Sequence, residues 1–123
     1  MTIEETANGL VESCRQGKNL EAIDKYYSDS IVSVESGSSP GAPAETKGIE
    51  AVRGKNQWWL DNHEIHSQEA NGPFLAEKQF AVEFHFDVTQ KKSGKRFHMQ
   101  EMGLYTVEGG KIVREHFFYN MGE

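Results

Sequence analysis

Glu115 stands between Val113 and Phe117 in the run Ile112-Val113-Arg114-Glu115-His116-Phe117. If that run is a strand, alternate residues share a face and the acid lies on an apolar one. A carboxyl there has a raised pKa and can serve as an acid or a base. The competing reading is an acid near the sheet rim, solvated or paired with His98 or a lysine. Glu35 is the second candidate. It closes Ile31-Val32-Ser33-Val34-Glu35, just before the Gly-, Ser- and Pro-rich stretch from Ser36 to Gly48. A carboxylate at such a strand end reaches a pocket mouth while the loop acts as a lid; the alternative is an exposed loop acid. Gln100 and Tyr119 offer an amide and a hydroxyl suited to orienting a carbonyl or hydroxyl ligand, unless they only satisfy each other.

Other chemistries find less support. His63, His66, His85, His98 and His116 scatter along the chain, and no HxxxH or CxxC spacing is present, so no metal site is expected. The single Cys14 falls on an apolar helix position and reads as a small buried hydrophobe rather than a nucleophile. No glycine-rich phosphate loop follows a strand, so neither a nucleotide nor any other cofactor is expected.

These residues need elements to hold them. Thr2-Ile3-Glu4-Glu5 has the form of a capping box, and Ile3, Ala7, Leu10, Val11 and Cys14 follow at helical spacing until Gly17. Asn19 caps a second, short helix carrying Leu20, Ile23 and Tyr27, broken at Ser28-Asp29-Ser30. A third helix runs from Gly48 to His63. Trp58 and Trp59 diverge by about 100 degrees on it, which leaves Trp59, with His63, facing inward. Phe80 to Val88 alternates strictly, and Arg96 to Val107 and Ile112 to Asn120 follow as two more antiparallel strands, with an extra strand near Ile65 to Ala70. The pattern is α+β, with helices on one sheet face.

Register decides which side chains share that face. A three-residue loop at Lys92-Ser93-Gly94 sets Val88, Phe86 and Phe84 opposite His98, Gln100 and Met102. A two-residue turn at Gly109-Gly110 then sets Leu104, Met102 and Gln100 opposite Glu115, Phe117 and Tyr119. The inward face so derived offers Trp59, His63, Phe84, His98, Gln100, Met102, Phe117 and Tyr119 as ligand contacts. The outward face carries Glu83, His85, Asp87, Phe97, Met99, Glu101, Tyr105, Arg114, His116 and Phe118. Its apolar members predict a homodimer through the sheet. A one-residue slip in either turn exchanges the two faces of a strand.

Composition bounds the rest. The 123 residues suit one domain spanning 1–123, and a net charge of −6 opposes binding to nucleic acid. Apolar runs fall far short of the ~20 residues that cross a bilayer. Met1 to Glu5 shows no basic-then-apolar leader, and a cytoplasmic location follows as the expectation.

The order of elements, the Gly110-Lys111-Ile112-Val113-Arg114-Glu115 opening of the last strand and its Phe117-Phe118-Tyr119 ending resemble the SnoaL-like branch of the nuclear transport factor two-like superfamily. The resemblance spans the chain. It implies a cone: a strongly curved, mainly antiparallel sheet wrapped on three helices around a deep pocket, often dimeric through the sheet. Polyketide cyclases, ketosteroid isomerase, dehydratases and non-catalytic binding proteins share it. Set against ketosteroid isomerase, Glu35 falls on the general base, whereas the oxyanion-hole Asp and Tyr fall on Met102 and Leu10, which cannot donate. The resemblance thus implies a pocket for a small apolar organic molecule. Isomerisation, cyclisation or dehydration would proceed by proton transfer at Glu35 or Glu115. The alternative is a non-catalytic ligand-binding or interaction dimer whose pocket is filled by its own aromatic side chains. Many convergent polar groups would favour the enzyme.

Overall fold

Thr2 opens the first helix as its sequence predicts: its hydroxyl accepts the Glu5 N–H at 3.1 Å, while the Glu5 carboxylate accepts the Thr2 N–H at 2.9 Å. The computed structural model describes residues 1–37 and 44–119. In it α1 (Ile3–Arg15) buries Thr6, Ala7, Leu10, Val11 and Cys14. Helix α2 (Asn19–Tyr26) buries Ala22, Ile23 and Tyr26, so its three- and four-residue spacing also marks the packed stripe. Tyr27 does not extend that helix. It starts β1 (Tyr27–Val34), which runs through the serines read as a break.

β2 (Glu45–Lys47) pairs antiparallel with β1 and precedes α3 (Ile49–Asn62). The long strands β3 (His63–Leu75), β4 (Gln79–Gln90), β5 (Arg96–Glu108) and β6 (Lys111–Phe118) complete a sheet of order β2-β1-β6-β5-β4-β3. Every neighbouring pair is antiparallel except β1 with β6. Three helices therefore lie against a six-stranded sheet that curls without closing. The strand expected near Ile65 is longer than the apolar signal, because β3 continues through Gly72-Pro73 with a shift of register rather than ending there. Of the expected lid, Glu45–Lys47 form β2, and residues 38–43 lie outside the described residues.

The core gathers between helices and sheet. Leu10, Val11, Ile23, Ile31, Val52, Phe80, Val82, Tyr105 and Ile112 are all at most 2% exposed. Each such side chain contributes about 1.5–3 kcal/mol by leaving water.

Two register details correct the expected faces. The β4–β5 loop spans Lys91 to Gly94, closed by the Gln90 N–H to the Lys95 carbonyl, one residue longer than expected. Val88, Phe86 and Phe84 consequently face Phe97, Met99 and Glu101, and β5 is turned over. His98, Gln100 and Met102 point to the outer face, away from the helices, with Leu104 and Thr106. Phe97, Met99, Glu101 and Tyr105 point inward. The Lys-Lys-Ser-Gly-Lys run suits either loop, and apolar residues lie on both sides of β5, although its aromatic ones, Phe97 and Tyr105, share one face. At the next hairpin the two-residue turn is as expected. Gly109 and Gly110, at φ 58° and 79°, take the left-handed conformations that such a turn requires. An extra residue follows it, since Val107 pairs Ile112 while Thr106 pairs Arg114. This bulge leaves Val113 unpaired and restores the parity of β6. Glu115 and Phe117 face inward after all, beside Tyr105 and Gly103 rather than Leu104 and Met102.

Candidate functional site

The inner residues of β1, β5 and β6 and one side of α3 meet in a polar cluster within this apolar core. Parallel pairing sets Ser33 beside Glu115, and the two are 0% and 1% exposed. The Tyr27 hydroxyl donates a hydrogen bond to Glu115 Oε1. Lys55 lies one turn beyond the buried Val52 on α3, so its amine reaches the same place from the helix side. It donates to Ser33 Oγ at 2.7 Å and to Glu35 Oε1 at 2.9 Å, and its Nζ stands 6.0 Å from the Phe117 ring centroid. Tyr119 donates its hydroxyl to Glu35 Oε2 at 3.0 Å. Ser36 clips the strand ends together, giving its hydroxyl to the Phe117 carbonyl and accepting the Tyr119 N–H. The side chains of Lys55 and Glu35 remain 28% and 24% exposed, so both keep contact with solvent.

Glu101 is the third carboxyl of the cluster. It lies opposite Phe84 on the inner face, half-buried, and makes no hydrogen bond among the described residues. Burial first, then the charges of Glu35 and Glu115, push its pKa up to about 8, with Lys55 pulling the other way. Glu101 thus holds its proton near neutral pH. Burial also raises Glu115, while hydrogen bonds from Tyr27 and Ser33 and the charge of Lys55 work against that rise. Tyr119 is raised by burial and by Glu35, so its hydroxyl stays a donor. Burial pushes the Cys14 thiol up to about 12, in keeping with the inert role expected of it.

Gly103 makes room for this arrangement. A Cβ there would stand 2.9 Å from the Tyr105 ring and 3.2 Å from that of Phe117. A side chain would push aside the rings that wall the cluster.

The sequence-derived candidates divide accordingly. Glu35, Glu115, Phe117 and Tyr119 come together, and Phe84 faces Glu101 across the β4–β5 pair. Trp59 and His63 are engaged with each other instead, their rings stacked at 3.7 Å and His63 Nδ1 lying 3.0 Å from the Trp59 carbonyl. On the outer face, His98 stacks on His85, and Gln100 bonds Glu83. Met102 is 38% exposed there. Sequence reasoning missed Glu101, Lys55, Ser33 and Tyr27. A usable signal existed for Glu101, which alternates with Phe97, Met99 and Tyr105, the more aromatic side of β5.

Elsewhere, a surface depression of about 430 Å³ is lined by Asp24, Tyr27, Ser28, Asp29, Ser30, Ile49 and Lys111. Its acids, Asp24 and Asp29, are exposed, and Asp24 is bonded to Arg53. Among the described residues, no His, Cys, Asp and Glu side chains are grouped to hold a metal ion, and no helix is long and apolar enough to cross a membrane.

Comparison with known proteins agrees with the fold. A protein from Mesorhizobium loti, provisionally assigned as a SnoaL-like polyketide cyclase with carbohydrate phosphatase as a second designation, is 47% identical. The match covers 97% of this chain and 100% of that one, with a TM-score of 0.91. A provisionally assigned isomerase from Bacillus subtilis is 17% identical over 98% and 90% of the two chains, at a TM-score of 0.81. A protein of ketosteroid isomerase-like fold from Catenulispora acidiphila, in complex with trimethylamine, is 16% identical over 98% and 88%, at 0.74. No curated protein matches the chain significantly. The family model of the SnoaL-like domain matches residues 1–119. With the shared fold and the Mesorhizobium relative, that match establishes that the chain belongs to the SnoaL-like family of the nuclear transport factor two-like superfamily.

Proposed function

We propose that the protein is an enzyme that moves a proton on a small, largely apolar carbonyl compound without a cofactor, as an isomerase or cyclase does. Two carboxyl groups in contrasting surroundings mark an acid and a base. Glu35, against the Lys55 ammonium, is the base that takes a proton from the carbon beside the carbonyl. Glu101, kept neutral, donates a hydrogen bond and then its proton to the oxygen on which charge develops. Tyr119 orients Glu35. Phe84, Phe97 and Phe117 supply an apolar wall for the ligand. Return of the proton from Glu35 to another carbon gives an isomer, whereas attack of the enol carbon on a second carbonyl gives a ring.

The observation that carries this reading is Glu101, a recessed carboxyl without a hydrogen-bond partner among the described residues, in the same cluster as the lysine-held Glu35. A module filled by its own aromatic side chains would have no use for such a group, which costs stability wherever it must ionise. The provisional cyclase assignment of the Mesorhizobium relative points the same way. Its phosphatase designation suits this cluster less, because a phosphate would meet the Glu35 carboxylate with Lys55 already paired to it.

The test is deuterium uptake from D2O at the carbon beside the carbonyl of cyclic aromatic ketones and lactones, followed by proton NMR. Wild-type protein is expected to accelerate the exchange. Glu35→Gln should lower it by about 10²–10⁴-fold, and Glu101→Gln by about 10²–10³-fold. Exchange at the buffer rate across the panel, or full exchange in Glu35→Gln, would refute the reading.

A further inference from the structure

Glu115 is left without a role in that chemistry, although it is the carboxyl most deeply buried in the cluster. We propose that Lys55 and Ser33 join Glu35 and Glu115 into one proton-sharing unit, in which the buried Glu115 receives the proton that Glu35 has taken from substrate. The inference rests on the reading of Glu35 as base, and it is the geometry of the bridge that supports it.

Lys55 Nζ donates at 2.9 Å to Glu35 Oε1 and at 2.7 Å to Ser33 Oγ. Ser33 Oγ, already accepting from an ammonium, turns its own hydrogen toward another acceptor, and Glu115 is its direct neighbour in the β1–β6 pair. Ser33 acts on Glu115 as a hydrogen-bond donor that favours its ionised form, and the four groups so line up from a partly exposed carboxylate to one that is 1% exposed. A buried carboxyl is expensive, and an apolar residue of similar size would serve the core at least as well. Its presence at the end of a hydrogen-bonded line is what a proton store requires.

The transfer balances within the protein. Protonated Glu35 gives its proton to Lys55 Nζ as Lys55 passes one to Ser33 Oγ and Ser33 passes its own to Glu115. Lys55 ends as an ammonium, Ser33 as a hydroxyl, Glu35 as a carboxylate and Glu115 as a neutral acid, and the reverse sequence hands the proton back to Glu35 for delivery to the product carbon. The other titratable groups facing Glu115 are Tyr27 on β1, Tyr105 and Glu101 on β5, and Cys14 on α1. Both tyrosines and Cys14 are raised by burial and keep their protons at neutral pH. Glu101, raised to about 8, is the neighbour whose titration must be followed alongside.

The experiment is an NMR pH titration of protein labelled at the glutamate side-chain carboxyl carbon, with no ligand. The resonances of Glu115 and Glu101 are assigned by their loss in Glu115→Gln and Glu101→Gln. Glu35→Gln is expected to move the Glu115 midpoint by more than about one pKa unit in the wild-type background. In Ser33→Ala that displacement should fall by more than half, and Ser33→Thr, which keeps the hydroxyl, should retain it. An equal displacement with and without the Ser33 hydroxyl would overturn the proposal, because Coulomb coupling alone does not need Ser33. Lys55→Met gives an independent arm should Ser33→Ala fail to fold. Removing the ammonium strengthens direct repulsion between the carboxylates, so a purely Coulombic link predicts a larger effect of Glu35→Gln in that background, and the bridge predicts a smaller one. Loss of coupling while ketone exchange persists would sink the relay alone. Intact coupling without exchange would sink the proton-transfer reading.

Discussion

Replacing Glu101 by Gln should stabilise the protein, and the gain should grow with pH. The folded-state pKa of Glu101 is raised from 4.5 to about 8, so between those values the folded protein holds a proton that the unfolded chain has released. Stability from this group is complete below pH 4.5. It falls as pH rises and is lost once the folded carboxyl also ionises, near pH 8. At about 1.4 kcal/mol per pKa unit, the full difference corresponds to about 5 kcal/mol. Solvent access to a half-buried carboxyl lowers the expected loss to about 2–3 kcal/mol. Glutamine fills nearly the same volume and does not ionise. The stability of Glu101→Gln relative to wild type should therefore change little below pH 5 and rise by about 2–3 kcal/mol between pH 5 and 8.5. Urea denaturation of both proteins at pH 5, 6.5 and 8.5 measures this directly, because pH effects common to both cancel in the difference. A difference that stays constant across the range would show that Glu101 titrates like an ordinary surface acid. That result would remove the general acid from the proposed site.

Two further perturbations test the surroundings of the site. Gly103→Ala should cost about 1–3 kcal/mol in thermal or urea unfolding, since its methyl would stand 2.9 Å from the Tyr105 ring in a packed wall; unchanged stability would mean that the wall has slack. Self-association through the outer face of the sheet now rests on Met102 and Phe118, 38% and 47% exposed and paired across β5 and β6. Sedimentation velocity should show a wild-type dimer that Phe118→Asp dissociates, and a monomeric wild type would end that expectation.

The helical half of the fold was legible because its signals are local. A capping box and a three- and four-residue apolar period lie within one turn of each other, and nothing distant can reverse them. The strands were legible as strands for the same reason. Which way they face is a different kind of information. It depends on hairpin loop length and on bulges, and a single residue inverts a whole strand. The Lys91 to Gly94 loop and the Val113 bulge each add one residue to the expected path. Their effects cancel at Glu115 and Phe117, which kept their inward assignment, and do not cancel on β5, where His98, Gln100 and Met102 traded places with Phe97, Met99 and Glu101.

That trade is why the acid opposite the base was hidden. With β5 reversed, the inner face presented Met102, which cannot donate, where the likeness to ketosteroid isomerase called for an oxyanion donor. In the folded chain Glu101 occupies the inner wall one residue away. Its altered proton affinity is a property of neighbours drawn from other parts of the sequence: Glu35 beyond β1, Glu115 on β6 and Lys55 on α3. No window of sequence contains all four. Chemistry that depends on pKa values set by several elements is readable only after register is known, whereas a core that depends on periodicity is readable before. The direction of inference can be reversed with profit. Of the two possible faces of β5, one places a lone acid among Phe97, Met99 and Tyr105, and the other exposes those side chains to water. The hydrophobic cost of the second is larger than the cost of one protonated carboxyl. Weighing whole faces by area, before assuming a loop length, would have turned β5 the right way and brought Glu101 into the site.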